Sequence, residues 1–106
     1  MNNMPAHLLP GMTVTNEPGL YKAGRYGIRI ENTMVVKHHS ESEFGCFYSL
    51  EPLTLCPIDT TPIIPELLGD DAREYLNSYH ELVFERLSPF FEGEMLCFLE
   101  KLCAPI

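Results

Sequence analysis

An α+β fold is expected for this 106-residue chain, a curved antiparallel sheet followed by a two-helix tail, and three features of the sequence carry that expectation. Residues 12–17, 27–37 and 44–56 read as strands, the first two by the alternation of apolar and polar side chains and the third by its Phe, Tyr and Leu. Residues 57–69 hold Pro57, Pro62 and Pro65, which disfavour a helix and read as a stiff, extended connector. From Asp70 onward the apolar positions recur at the spacing of a helix. The chain therefore divides into a sheet-forming part, 1–56, and a connector with a helical extension, 57–106.

Each element follows from its residues. Residues 12–17 place Met12 and Val14 opposite Thr13, Thr15 and Glu17, and residues 28–36 place Ile28, Ile30, Met34 and Val36 opposite Arg29 and Glu31. If the segment from Pro18 to Tyr26 folds these runs antiparallel, with Pro18-Gly19 turning the chain sharply, Glu17, Arg29 and Glu31 share one face of one hairpin. His38-His39 and the acidic, hydroxyl-bearing residues 40–43 read as a polar loop rather than a metal site. Residues 44–56 read as a third strand, and Pro52 favours an edge or a bulge for it. Asp71 and Glu74 have the spacing of a capping box. Ala72, Leu76, Tyr79, Val83 and Leu87, flanked by Tyr75 and Leu82, form the apolar stripe of a first helix over 71–87. Pro89 and Gly93 end that helix, and residues 94–103 form a second through Leu96, Leu99 and Leu102. His80 reads as a packed or capping group.

Composition narrows the classes of function. A net charge of -8, with only 7 Lys and Arg against 15 Asp and Glu, argues against nucleic acid or an anionic membrane as partner. No basic start precedes an apolar core and no apolar run approaches about 18 residues, so a cytoplasmic location is expected. Cys46, Cys56, Cys97 and Cys103 include no Cys-x-x-Cys pair and are expected to be reduced, mostly buried thiols.

Glu17 and Glu31 carry the chemistry. Two carboxylates aimed at one pocket repel unless a cation or a proton lies between them, whereas two on a solvated sheet face need nothing. The runs Leu9-Pro10-Gly11-Met12, Asn16-Glu17-Pro18-Gly19-Leu20-Tyr21, Gly27-Ile28-Arg29-Ile30-Glu31-Asn32 and Leu50-Glu51-Pro52-Leu53-Thr54-Leu55 bear on that choice. With Leu76-Asn77-Ser78-Tyr79-His80, they resemble the C-terminal part of Xaa-Pro aminopeptidases, dinuclear metallopeptidases of the pita-bread fold. The resemblance runs from about Pro10 to Ile106.

That resemblance implies that residues 1–56 are the last strands of a pita-bread catalytic domain. It also implies roles: Glu17 as terminal metal ligand and proton acceptor, Glu31 as bridging ligand, Arg29 as the group that holds carboxylates or intermediate in register, and Tyr21 as a pocket wall. It further implies two divalent ions, manganese first and cobalt or zinc as alternatives, and a peptide with proline in second position as substrate. The remaining ligands, two aspartates and a histidine, would lie upstream; His7 matches none of them, and Met1 reads as a start inside a longer reading frame. The chain alone is then expected to be inactive and to associate with itself through uncovered strand edges. Two rivals stand beside this reading: a non-catalytic dimerisation module, and a prolidase-type dipeptidase. Glu51, between Leu50 and Leu53, is a further acid that could support the site.

Overall fold

The computed structural model describes residues 7–106, and the chain divides into two units between Thr54 and Leu55. In the first unit the strands are β1 (Thr13–Asn16), β2 (Gly19–Lys22), β3 (Tyr26–Arg29), β4 (Asn32–Ser42) and β5 (Gly45–Pro52). They form two antiparallel sheets among the described residues, one in the order β1-β4-β5 and one of β2 and β3. Asn32, Met34 and Val36 on β4 are buried and alternate with half-buried Thr33 and Val35, as expected for a central strand with one packed face.

The two runs expected to make one hairpin are paired in a single register, with an interruption. Thr13 faces Val35 and Asn16 faces Asn32 in one ladder, and Gly19 faces Arg29 and Lys22 faces Tyr26 in the other. The count is unbroken between them, so Pro18 falls opposite Ile30, and Glu17 opposite Glu31. Pro18 has no N–H to donate. Only half of the exchange at that position survives, the Ile30 N–H to the Pro18 carbonyl at 3.2 Å, and one expected strand over 28–36 becomes β3 and β4. Pro18-Gly19 is also no turn, since Gly19 opens β2 and is absent from the glycines with positive φ. The turn lies further on, where the Arg25 N–H bonds the Lys22 carbonyl at 3.0 Å.

Residues 38–42, expected to be a loop, continue β4. His38 pairs with Tyr48, Ser40 with Phe47 and Glu41 with Cys46, leaving His39 as an extra residue in a bulge. Polar composition misled here because β1 ends opposite Val35, so beyond it β4 and β5 extend as an exposed two-stranded ribbon that needs no apolar face. The ribbon closes through Glu43 and Phe44, with Gly45 at φ 123°, a conformation that L side chains rarely adopt. Pro52 is the last residue of β5, an edge strand, as expected for a residue with no donor. Glu51 is exposed and lies 3.9 Å from the Lys37 ammonium.

The second unit contains α1 (Pro65–Leu68), α2 (Asp70–Leu87), a 3-10 turn (Ser88–Phe90) and α3 (Gly93–Leu102). α1 departs from the expected extended connector: Pro65 stands in its first turn, where a missing N–H costs nothing. The capping box does not form, because α2 begins at Asp70 behind Gly69 and no side chain caps it. The buried face of α2 is Leu76, Tyr79, His80 and Val83. Ala72 and Tyr75 of the expected stripe are exposed, so the packed face starts one turn later and includes a histidine. Tyr79 and Val83 form a core with Leu99 and Cys103 of α3 and the segment after it, against which Leu55, Ile58, Phe84, Leu87 and Phe91 pack.

Two residues of α2 fasten the extended segment 55–58. The Tyr79 hydroxyl donates to the Cys56 carbonyl at 2.8 Å. The Ile58 N–H donates to Nε2 of His80 at 3.0 Å, which makes Nε2 the acceptor and leaves the imidazole proton on Nδ1. Asn77 bonds the Ile106 backbone in both directions, at 3.2 and 3.0 Å. The cysteines depart from expectation: Cys46, Cys56 and Cys97 are exposed and only Cys103 is buried, all four free. Burial, and then the nearby Cys56, push the Cys103 thiol above its ordinary value.

Burial also holds the His80 imidazole below its ordinary value. In the unfolded chain His80 titrates near about pH 6.5, so below that pH the unfolded state binds more protons and stability falls as the pH drops toward the folded value. Urea unfolding followed by circular dichroism should show a declining midpoint from about pH 7 to about pH 5. His80→Gln, which keeps an acceptor for Ile58, should flatten that decline. His80→Leu should remove it too, and should cost about 1–3 kcal/mol at pH 7 by leaving the Ile58 N–H unpaired.

Candidate functional site

Glu17 and Glu31 sit at the two places where the chain crosses between the sheets, Glu17 after β1 and Glu31 before β4. Because Ile30 and the Pro18 carbonyl form a hydrogen-bonded position, the adjacent pair Glu17 and Glu31 occupies a non-hydrogen-bonded one, where facing side chains come closest. Period-2 alternation carries Thr15, Glu17, Gly19 and Tyr21 on one run, and Gly27, Arg29 and Glu31 on the other, to the same face. Two glutamates directly opposite on one face repel each other.

Arg29 offsets that repulsion. Its Nη1 lies 3.3 Å from Oε2 of Glu17 and 3.8 Å from Oε2 of Glu31, the former with hydrogen-bond geometry. Its Nε donates to the Tyr21 hydroxyl at 2.7 Å, and its Cζ lies 5.7 Å from the Tyr21 ring centroid. The Thr15 hydroxyl donates to Oε1 of Glu17 at 3.1 Å. The guanidinium is held above its ordinary value, first by its hydrogen bond to the Tyr21 oxygen, then by Glu17, and least by Glu31. Side chains of Arg29, Glu17 and Glu31 are 49%, 46% and 44% exposed, so the cluster opens to solvent and can meet an ion or a substrate.

All four expected site residues thus come together, Glu17, Tyr21, Arg29 and Glu31. Sequence reasoning missed the floor beneath them. A Cβ on Gly19 would collide with the Tyr21 hydroxyl and ring, and one on Gly27 would lie 2.6 Å from Cδ1 of Tyr21. Gly27 faces Tyr21 across the ladder and Gly19 faces Arg29, so the two missing side chains let the phenol lie across the hairpin and reach Nε. The signal was present in the register: two glycines diagonal to one another under an aromatic residue. Two carboxylates are hard oxygen donors, a set that fits divalent cations such as magnesium, calcium or manganese. They supply fewer ligands than such an ion takes.

Comparison with known proteins matches this chain to a family. Residues 46–106 match the C-terminal region of peptidase M24, and residues 2–38 match metallopeptidase family M24. A probable Xaa-Pro aminopeptidase P of Coprinopsis cinerea is 41% identical over 90 residues, covering 82% of this chain and 14% of the relative. Aminopeptidase P2 of Arabidopsis thaliana is 43% identical over 86 residues, covering 78% of this chain and 12% of the relative. A solved X-prolyl aminopeptidase of Caenorhabditis elegans, described as a cytosolic enzyme with a di-nuclear active site, superposes with a TM-score of 0.81 at 30% identity, covering 100% of this chain and 18% of that one. The chain spans between 12% and 17% of the length of these curated relatives and of a third from Laccaria bicolor. With its antiparallel sheets followed by helices, the chain belongs to the M24 metallopeptidases, as the α+β C-terminal part of their pita-bread fold.

Proposed function

We propose that Glu17 and Glu31 are ligands of a dinuclear divalent-metal centre, manganese in preference to cobalt or zinc, in a cytosolic Xaa-Pro aminopeptidase whose other ligands come from segments outside these 106 residues. The observation that carries this reading is the convergence of both carboxylates on Nη1 of Arg29. A metal pair supplies, when bound, an activated water and charge neutralisation at the scissile carbonyl. Glu17, with one oxygen already fixed by Thr15, accepts the proton that the attacking water loses. Glu31, which lies opposite, would be the ligand that the two cations hold in common. Arg29 keeps the facing carboxylates from turning apart and, with Tyr21 holding its Nε, presents a fixed edge to the negative charge that develops on the substrate. Tyr21, across the glycine floor, forms the wall against which the substrate lies.

The assignments separate in the intact enzyme, by elemental analysis of metal beside turnover of an Xaa-Pro peptide. Glu17→Gln keeps one oxygen ligand but loses the charge and the proton acceptor, so turnover should fall by about 10² to 10⁴ with much of the metal retained. Glu31→Gln should lose metal first, its activity following occupancy. Arg29→Lys keeps the charge and loses the planar two-sided contact, so turnover should drop although metal stays. Full activity in Glu17→Gln would return these residues to a solvated sheet face.

A second expectation concerns the floor. Gly27→Ala should displace the Tyr21 ring and free Nε of Arg29, and it and Tyr21→Phe should both lower turnover; if Gly27→Ala matched wild type, the ring would not need its place. The 106-residue chain by itself should bind manganese weakly, since two carboxylates leave most coordination positions to water. Calorimetry that found two tightly held manganese ions per chain would contradict this.

A further inference from the structure

The exposed ribbon of β4 and β5 carries three metal-ligating side chains that the peptidase chemistry does not use. An atom from each of His38, Glu41 and Cys46, an imidazole nitrogen, a carboxylate oxygen and a thiol sulfur, lies within 4.8 Å of the other two. Glu41 faces Cys46 directly across the ladder, and His38 faces Tyr48, two residues along from Cys46. In a regular strand His38 and Glu41, three positions apart, would point to opposite faces. The bulge at His39 inserts one residue between them and reverses the alternation. The ribbon thereby gathers all three onto one face. The His38 ring lies edge-on to Tyr48, centroids 6.4 Å apart at 63°, which limits the directions it can take.

We propose that His38, Glu41 and Cys46 bind one zinc-type divalent cation, at a site separate from Glu17 and Glu31. Thiolate and imidazole favour zinc over the hard ions that the paired glutamates suit. Ligands at about 2.0–2.3 Å around a tetrahedral ion stand about 3.3–3.8 Å apart, so exposed side chains close the remaining distance by small rotations. Three protein ligands leave the fourth position to water. Binding converts the Cys46 thiol to a metal thiolate and releases its proton to solvent, so affinity rises with pH. The ion would also tie β4 to β5 where no other sheet neighbour supports them.

Cobalt(II) tests this on the full chain with its thiols reduced, because a thiolate-to-cobalt charge-transfer band in the near ultraviolet reports sulfur ligation that carboxylates cannot produce. One equivalent of cobalt should raise the band and zinc should abolish it by displacement. Cys46→Ser should lack it, His38→Ala should weaken cobalt binding at least about tenfold, and Cys97→Ser and Glu17→Gln should keep it. Since the three ligands lie on an exposed ribbon, unchanged far-ultraviolet circular dichroism is expected in each variant. The site does not exist if cobalt raises no such band, or if the band persists in Cys46→Ser. Undiminished cobalt affinity in His38→Ala would also overturn it, by removing the imidazole from the ligand set.

Discussion

A single antiparallel register, running from Thr13 opposite Val35 to Lys22 opposite Tyr26, is the constraint on which the candidate site depends. It places two glutamates face to face, where they repel, and it puts an arginine of the same face two residues away. Pro18 interrupts the ladder beside them without shifting the count, so the strands part into two sheets while the pairing of side chains continues. A slip of one residue would send Glu17 to the opposite face from Glu31 and Arg29 and dissolve the cluster. Proline is suited to this position because it lowers the number of ladder bonds without adding a residue.

Glycine does related work one step further along. Gly19 and Gly27 are extended strand residues whose contribution is the absence of a side chain. The Tyr21 ring occupies that space and holds the guanidinium from the side away from the carboxylates. The orientation of Arg29 is therefore set from two directions, by a phenol oxygen at 2.7 Å and a carboxylate oxygen at 3.3 Å. An exposed ion pair without such a second hold contributes little and wanders.

The helical unit solves a different problem, fastening an extended stretch that has no sheet partner among its own residues. Backbone groups of Cys56 and Ile58 are met by Tyr79 and His80, neighbours on α2. His80 is fully buried, and it can accept from a backbone N–H only while neutral, so a packing choice becomes a pH dependence. The bulge in the ribbon shows the same economy, since one extra residue, His39, changes which side chains share a face.

Alternation and composition, legible in the chain without coordinates, determined the order of strands before helices, the common face of Glu17, Arg29 and Glu31, the edge position of Pro52 and the break at Pro89. These follow from local rules, because the period of side chains and the chemistry of proline are properties of a few neighbouring residues. The family likeness rested on short runs around the same residues. Tertiary structure decided the rest: that residues 38–42 form strand rather than loop, that the helix begins without its capping box, that His80 replaces Ala72 on the packed face, and that three of four cysteines are exposed. Each of these depends on what lies opposite, a strand that extends past its neighbour, a helix turn whose Ala72 and Tyr75 find no core to enter, or a backbone N–H seeking an acceptor. Such partners are distant in sequence, and no local pattern encodes their approach.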